Sequence, residues 1–139
     1  MPARGKENGL YQGMNWIRPE RRLALYLRDG LACCYCGEAV EDGAKLTLDH
    51  LTPHSQDGGN ENENLVTCCH RCNSSRGDRD WRDFAKVTAA YLNHDVSAAK
   101  IITHIQKTIT RSPDLATAKD IIARRGNFSR ALTSLREEG

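Results

Sequence analysis

The chain has few aromatic residues and no long apolar segment. Only 6% of its 139 residues are aromatic, so a core of this size would be thin without another source of stability. No apolar run approaches the roughly 18 residues that indicate a membrane-spanning helix. No apolar segment of the secretory type follows the start of the chain near Arg4. We therefore expect a soluble cytoplasmic protein with no membrane partner.

A strong charge of one sign is also absent, since the formal net charge is +2 at pH 7. Residues 1–73 carry 8 Lys and Arg against 10 Asp and Glu, whereas residues 74–139 carry 12 against 8. This basic excess in the second half is a mild nucleic-acid signature, which alone leaves the partner undecided. Internal repeats and a helix-turn-helix signature are missing, so no base-reading module is indicated.

Four of the six cysteines form two Cys-x-x-Cys pairs, Cys33/Cys36 and Cys69/Cys72. Two such pairs predict a tetrahedral Zn²⁺ site, and a closed set of four thiolates favours a structural role. This metal-type spacing argues against the disulfides of a secreted scaffold. Cys34 and Cys68 are interpreted as small buried hydrophobic residues, although a ligand set that uses either of them or His70 is the alternative.

Periodicity and turn signals predict an α+β chain. The predicted helices cover residues 19–28, 69–76, 81–93, 97–109, 112–125 and 129–136, and the predicted strands cover residues 45–51 and 65–67. The first strand alternates in part, which is typical of a half-buried strand. Ser112 is the predicted N-cap of the fifth helix, followed by Pro113. We expect three regions: a flexible arm over residues 1–15, a metal-bearing unit over residues 16–80 and a helical region over residues 81–139.

Asp49 and His50 lie on the first predicted strand, within the 32 residues that separate Cys36 from Cys69. The corresponding segment of a common zinc ribbon has roughly 15–20 residues. A carboxylate beside an imidazole can hold a divalent metal ion and activate a water molecule. The pair therefore points to metal-dependent cleavage of a phosphodiester, and a hydrogen-bonded surface pair is the alternative for these two residues alone.

The order and spacing of these motifs resemble the HNH endonucleases of the four-cysteine zinc subgroup. The similarity covers residues 19–80 and rests on Arg28-Asp29-Gly30, Cys33-x-x-Cys36-Gly37, Leu48-Asp49-His50-Leu51-x-Pro53, Gly58-Gly59, Asn62-x-Asn64-Leu65-Val66, Cys69-x-x-Cys72-Asn73 and Arg76-Gly77-Asp78. This resemblance implies a small ββα-metal unit held by a four-cysteine zinc site. A helical flank would precede the unit, and the C-terminal helical region would lie outside it.

The same resemblance implies roles for individual residues. His50 would be the general base that takes a proton from the attacking water. Asp49 and Asn73 would ligate a catalytic Mg²⁺ or Mn²⁺ ion through oxygen atoms. Asn64 would brace the loop and orient His50. The family often has histidine at the position of Asn73, and the amide oxygen of asparagine suits Mg²⁺ better than softer metals.

Three basic residues close to these motifs are candidates for DNA contact. His54 follows the predicted strand, and Arg71 and Arg76 lie on the helix that carries Asn73. Such side chains commonly bind phosphate oxygens. An ordinary loop histidine and a solvated helix face are the competing interpretations.

The expected function is hydrolysis of DNA phosphodiester bonds, by nicking or by cutting both strands. One such unit has one catalytic metal, so a double-strand cut would need a homodimer, a DNA-processing partner or two sequential nicks. The alternatives are a zinc-dependent nucleic-acid-binding module without turnover and a zinc-stapled protein-interaction domain. A binding module has no use for the full set Asp49, His50, Asn64 and Asn73, which favours the enzyme. The expected setting is a bacterial or phage-infected host cell, where phages, other mobile elements and restriction systems use HNH units.

Overall fold

The computed structural model describes residues 14–92 and 96–138. Its elements are α1 (Pro19–Arg28), β1 (Leu46–His50), β2 (Leu65–Cys69), α2 (His70–Arg76), α3 (Trp81–Leu92), α4 (Ala98–Thr108), α5 (Leu115–Arg125) and α6 (Phe128–Glu138). Short 3₁₀ turns lie at Val40–Asp42, His54–Gln56 and Asn62–Asn64. The predicted α+β class is confirmed.

The two strands form an antiparallel pair in which Leu46 lies opposite Cys69 and His50 lies opposite Leu65. Helix α1 packs against β2, and α2 packs against both strands. Every strand residue except His50 is buried as a result. The expectation of a half-buried first strand was therefore wrong, because helices cover the sheet more completely than the alternation in the sequence indicates.

Helix α1 begins with Pro19 in its first turn, where the missing N–H costs no hydrogen bond. At its other end Arg28 and Asp29 form a buried ion pair, with Arg28 Nε 2.6 Å from Asp29 Oδ1. Asp29 Oδ2 accepts a hydrogen bond from the backbone N–H of Thr67 at 2.7 Å, and Arg28 Nη2 donates to the carbonyl of Leu65 at 2.6 Å. These bonds fix the end of α1 on the middle of β2.

The C-terminal helices pack onto the same core as the sheet. Helices α5 and α6 both contact α1, and the rings of Tyr26 and Phe128 lie 6.3 Å apart. Helices α3 and α4 pack together, with Ile101 and Ile105 buried. The proposed boundary near residue 80 remains a prediction.

Helix α5 begins later than expected. Asp114, not Ser112, is its N-cap, because the carboxylate of Asp114 accepts a hydrogen bond from the N–H of Thr117 at 3.0 Å. A carboxylate and a hydroxyl are both good caps, so composition alone did not decide between them.

The predicted arm over residues 1–15 lies mostly outside the described residues, although Met14 is buried. Within the described part of the chain, no helix has the length and apolar character needed to cross a membrane.

Candidate functional site

Four thiol groups converge at one end of the sheet. The Sγ atoms of Cys33, Cys36, Cys69 and Cys72 all lie within 4.8 Å of one another. The Sγ atoms of Cys36 and Cys69 are 3.8 Å apart. A tetrahedral zinc ion with Zn–S distances of roughly 2.3 Å places its sulfur atoms about 3.8 Å apart, so the cluster fits this ion.

The backbone around the cluster is arranged to stabilise thiolates. The N–H groups of Cys36 and Cys72 point at the sulfurs of Cys33 and Cys69, at 3.5 and 3.4 Å. The N–H of Glu38 points at Cys36 Sγ, also at 3.5 Å. Hydrogen bonds from the neighbouring thiols hold the pKa of Cys36 far below its usual range. The backbone N–H groups thus face the sulfur atoms that would bind a zinc ion.

The remaining candidate zinc ligands do not belong to the cluster. Cys34 and Cys68 are buried and carry free thiols, as expected for small core residues. Among the described residues, no cluster of metal-binding side chains includes either of them or His70. The alternative ligand set is not supported.

Arg71 lies at the zinc end of the molecule. Its Nη2 atom is 3.8 Å from Cys36 Sγ and 3.6 Å from Glu38 Oε1, and the side chain is mostly exposed. Arg71 is not among the residues that line the cleft described next. Arg71, a predicted DNA-binding residue, therefore does not line the cavity that contains the predicted catalytic residues.

A cleft of about 410 Å³ lies beside β1 and α2. Its lining comprises Met14, Trp16, Thr47, Leu48, Asp49, His50, Pro53, His54, His70, Asn73, Ser74, Arg76 and Gly77. His50, the predicted general base, thus lines the same cavity as Asp49 and Asn73, the predicted ligands of the catalytic metal ion. His54, an exposed residue of the 3₁₀ turn that follows β1, also faces it.

Asp49 is buried, and its carboxylate is held by two partners. Tyr35 Oη donates to Asp49 Oδ2 at 2.9 Å, and Arg76 Nη1 donates to the same oxygen at 2.6 Å. Burial raises the pKa of Asp49, and the positive charge of Arg76 opposes this rise. Tyr35 is fixed in turn by an edge-on contact with Phe84, whose ring centre lies 4.9 Å away. The Asp49 carboxylate is therefore tightly oriented at the cleft.

Asn73 uses its amide nitrogen to bind β1. Nδ2 donates to Thr47 Oγ1 at 2.9 Å and lies 3.4 Å from the carbonyl oxygen of Leu48. With the amide nitrogen bound in this way, Oδ1 is the atom that can act as a ligand. A carboxylate oxygen and an amide oxygen in one cavity are the kind of donors that Mg²⁺ accepts, so Asp49 and Asn73 fit the expected ion.

His50 ends β1 and is half-buried. Its Nε2 atom lies 2.7 Å from Asn60 Oδ1, and its ring centre lies 4.9 Å from that of Trp16. The contact with Asn60 was not expected from the sequence. The nearest signal was Gly58-Gly59, which predicts a tight loop but does not indicate which side chain the loop presents.

Asn64 links two segments of the loop that follows β1 by hydrogen bonds. Its Oδ1 atom accepts from the N–H of Thr52 at 2.8 Å. Its Nδ2 atom donates to the carbonyls of Thr52 and Gly59 at 3.0 and 2.8 Å. None of these bonds reaches His50, and the side chain that is hydrogen-bonded to the imidazole is that of Asn60.

Arg76 differs from both interpretations of the sequence, because it is only 2% exposed. Besides Asp49, Nη1 and Nη2 donate to the carbonyls of His50 and Leu51, each at 2.8 Å. Nε donates to the carbonyl of Arg79 at 2.7 Å. With these donors occupied, Arg76 is neither a phosphate clamp nor part of a solvated face; it ties α2 to the end of β1.

Comparison with known proteins points to the same region. The family model for HNH endonucleases matches residues 33–79. The chain is also similar to the CRISPR-associated endonuclease Cas9 of Corynebacterium diphtheriae, with 38% identity over 63 residues. This stretch is 45% of the chain but only 6% of the length of that relative. No solved structure matches the chain.

Proposed function

Because residues 33–79 form an HNH endonuclease domain, we propose that this protein is a metal-dependent endonuclease that hydrolyses DNA phosphodiester bonds. The observation that carries the proposal is the shared cleft, in which Asp49, His50 and Asn73 all present side chains. A zinc-stapled binding module would not need an imidazole, a carboxylate and an amide oxygen around one cavity.

In the proposed reaction, His50 takes a proton from the water that attacks the scissile phosphorus. Asp49 and Asn73 hold a Mg²⁺ or Mn²⁺ ion. When bound, such an ion stabilises negative charge on the phosphate and on the leaving 3′ oxygen. His54 contributes a phosphate contact from the edge of the cleft. By family resemblance the products carry 5′-phosphate and 3′-hydroxyl ends.

The two metal sites have separate tasks. Four cysteines close the coordination sphere of zinc, so the zinc ion stabilises the fold and leaves the chemistry to the cleft. Arg76 and Tyr35 keep the Asp49 carboxylate in place, since both donate to its Oδ2 atom. These contacts orient the site before DNA arrives, which lowers the entropic cost of reaching a reactive geometry.

Nicking of a supercoiled plasmid tests the proposal. The zinc-loaded protein is incubated with Mg²⁺ or Mn²⁺, with EDTA added briefly after a desalting step, and with His50→Ala in parallel. One cleft acts on one strand, so open-circular DNA should appear before linear DNA. We expect EDTA and His50→Ala each to stop nicking while zinc content is retained. A folded, zinc-loaded wild-type protein that binds plasmid but leaves it intact would favour the binding module.

A further inference from the structure

We propose that Asn60 is a positioning residue that holds the His50 ring with Nδ1 as its basic atom. Asn60 Oδ1 lies 2.7 Å from His50 Nε2. An amide oxygen only accepts hydrogen bonds, so the hydrogen of the neutral imidazole lies on Nε2 and the lone pair on Nδ1. This inference rests on the proposed nuclease activity. It adds that Nδ1 of His50 is the atom that takes the proton from water.

The loop before Asn60 is folded tightly against the end of β1. Gly58 is buried, and a Cβ atom at this position would lie 1.7 Å from the carbonyl oxygen of Thr52. The N–H of Gly58 donates to the carbonyl of Pro53 at 2.9 Å. Asn64 Nδ2 holds the next residue through the carbonyl of Gly59. Asn60 therefore directly follows a segment whose backbone has little conformational freedom.

Helix α1 fixes the loop from its other side. Arg21 Nη2 donates to the carbonyl of Asn60. Arg21 Nε and Nη2 also donate to Asn62 Oδ1, at 3.1 and 2.8 Å. The guanidinium of Arg21 thus binds the backbone of Asn60 and the side chain of Asn62. A lysine lacks this forked arrangement of N–H donors and would not make the same set of hydrogen bonds.

The imidazole is held by two different contacts. Trp16 packs against the ring at 4.9 Å between centres, and Asn60 binds one ring nitrogen. A tilted ring contact such as that of Trp16 restricts where the imidazole lies, whereas a directional hydrogen bond also decides which nitrogen carries the hydrogen. Only the hydrogen bond with Asn60 therefore determines which ring nitrogen has a lone pair for a water molecule.

Two substitutions and a control separate this role from general loop stability. Asn60→Leu keeps the size of the side chain and removes the acceptor, whereas Asn60→Asp keeps an acceptor oxygen. Gln56→Leu is the control, because Gln56 is an exposed amide of the same loop, in the 3₁₀ turn that precedes Gly58. All three zinc-loaded proteins are compared with the wild type.

The first measurement is the hydrogen bond of the His50 Nε2–H group, read from proton and nitrogen-15 NMR of the ring and from the rate at which this hydrogen exchanges with water. The second is plasmid nicking, with kcat and KM determined separately. Asn60→Leu should lose the slowly exchanging, hydrogen-bonded Nε2–H signal and lower kcat by about 10-fold, because a small misplacement of a reacting group costs rate. Asn60→Asp should keep this signal and most of kcat while raising KM through charge repulsion, and Gln56→Leu should match the wild type.

The outcomes distinguish the two proposals. If the wild type nicks DNA and Asn60→Leu keeps both the hydrogen-bonded Nε2–H signal and its kcat, the positioning role is overturned and the nuclease stands. If the wild type shows an Asn60-dependent Nε2–H signal but no cleavage of any plasmid, the positioning geometry stands and the nuclease function fails. Equal loss of kcat in Asn60→Leu and Asn60→Asp with an unchanged Nε2–H signal would also overturn the role.

Discussion

Replacing Arg76 with methionine tests whether this buried arginine holds the site together. The side chains of Arg76 and Asp49 are 2% and 7% exposed, and their charged atoms lie 2.6 Å apart. Methionine keeps an unbranched apolar chain but removes the charge and every donor. Removing one partner of a buried ion pair typically costs about 3–5 kcal/mol, because the other charge is left uncompensated. We expect the free energy of unfolding to fall by about this amount.

The pH dependence of this loss has a definite sign. Burial raises the pKa of Asp49, and Arg76 opposes that rise. Without Arg76 the pKa of Asp49 rises further, so the folded variant binds a proton that the unfolded chain releases. The stability of Arg76→Met relative to the wild type should therefore fall as the pH increases through this higher pKa, and the variant should be least impaired in mild acid.

Urea unfolding at a fixed zinc concentration measures the effect. With a slope of about 2 kcal/mol per molar urea, a loss of about 4 kcal/mol moves the midpoint by about 2 M. Arg124→Met is the matched control, because Arg124 and Asp120 form an exposed ion pair with side chains 62% and 64% exposed. Such an exposed helix pair contributes only about 0.3–0.5 kcal/mol.

A double-mutant cycle completes the test. Asp49→Asn in the Arg76→Met background removes the stranded charge, so the double variant should be more stable than the sum of the single losses predicts. A loss of less than about 1 kcal/mol in Arg76→Met, which is typical of an ordinary substitution, would show that Arg76 does not hold the site together. Strict additivity of the two substitutions would lead to the same conclusion.

Three further predictions concern the metal, the loop and the core. Prolonged chelation of zinc should unfold the region around β1 and β2, since structural zinc supplies roughly 10–16 kcal/mol of apparent binding free energy; circular dichroism and thiol titration follow the loss. Gly58→Ala should lower stability by about 1–3 kcal/mol through overpacking and should also slow nicking, because the added Cβ atom displaces the loop that carries Asn60; unchanged stability and nicking would contradict the loop geometry. Burial raises the pKa of Tyr26, so stability should fall as the pH rises above about 10, and Tyr26→Phe should show a smaller fall in urea unfolding between pH 9 and 11.

The zinc site and most elements could be predicted from the sequence because their signals are local. Two Cys-x-x-Cys pairs need only short spacings to form two knuckles, and Pro19 and Gly77 mark the ends of helices. The resemblance to HNH endonucleases placed Asp49, His50 and Asn73 together, and all three line the cleft.

The contacts that orient these side chains could not be predicted in the same way. Arg76 lies among exposed neighbours in its helix, and its burial depends on carbonyls at the end of β1, some 25 residues earlier. Asn60 is one of several asparagines in a polar loop, and only the fold of that loop selects it over Asn62 as the partner of His50. Such long-range pairings follow from three-dimensional packing, which sequence periodicity does not encode.

Chemical rescue of a His50→Gly variant shows whether His50 is the general base. A cavity at this position admits free imidazole, which can replace the missing side chain. We expect His50→Gly to nick plasmid at least about 100-fold more slowly than the wild type, in line with the usual contribution of a general base, and added imidazole to restore part of the rate. Nicking by His50→Gly at the wild-type rate, without imidazole, would contradict the assignment of His50 as the general base of the proposed nuclease reaction.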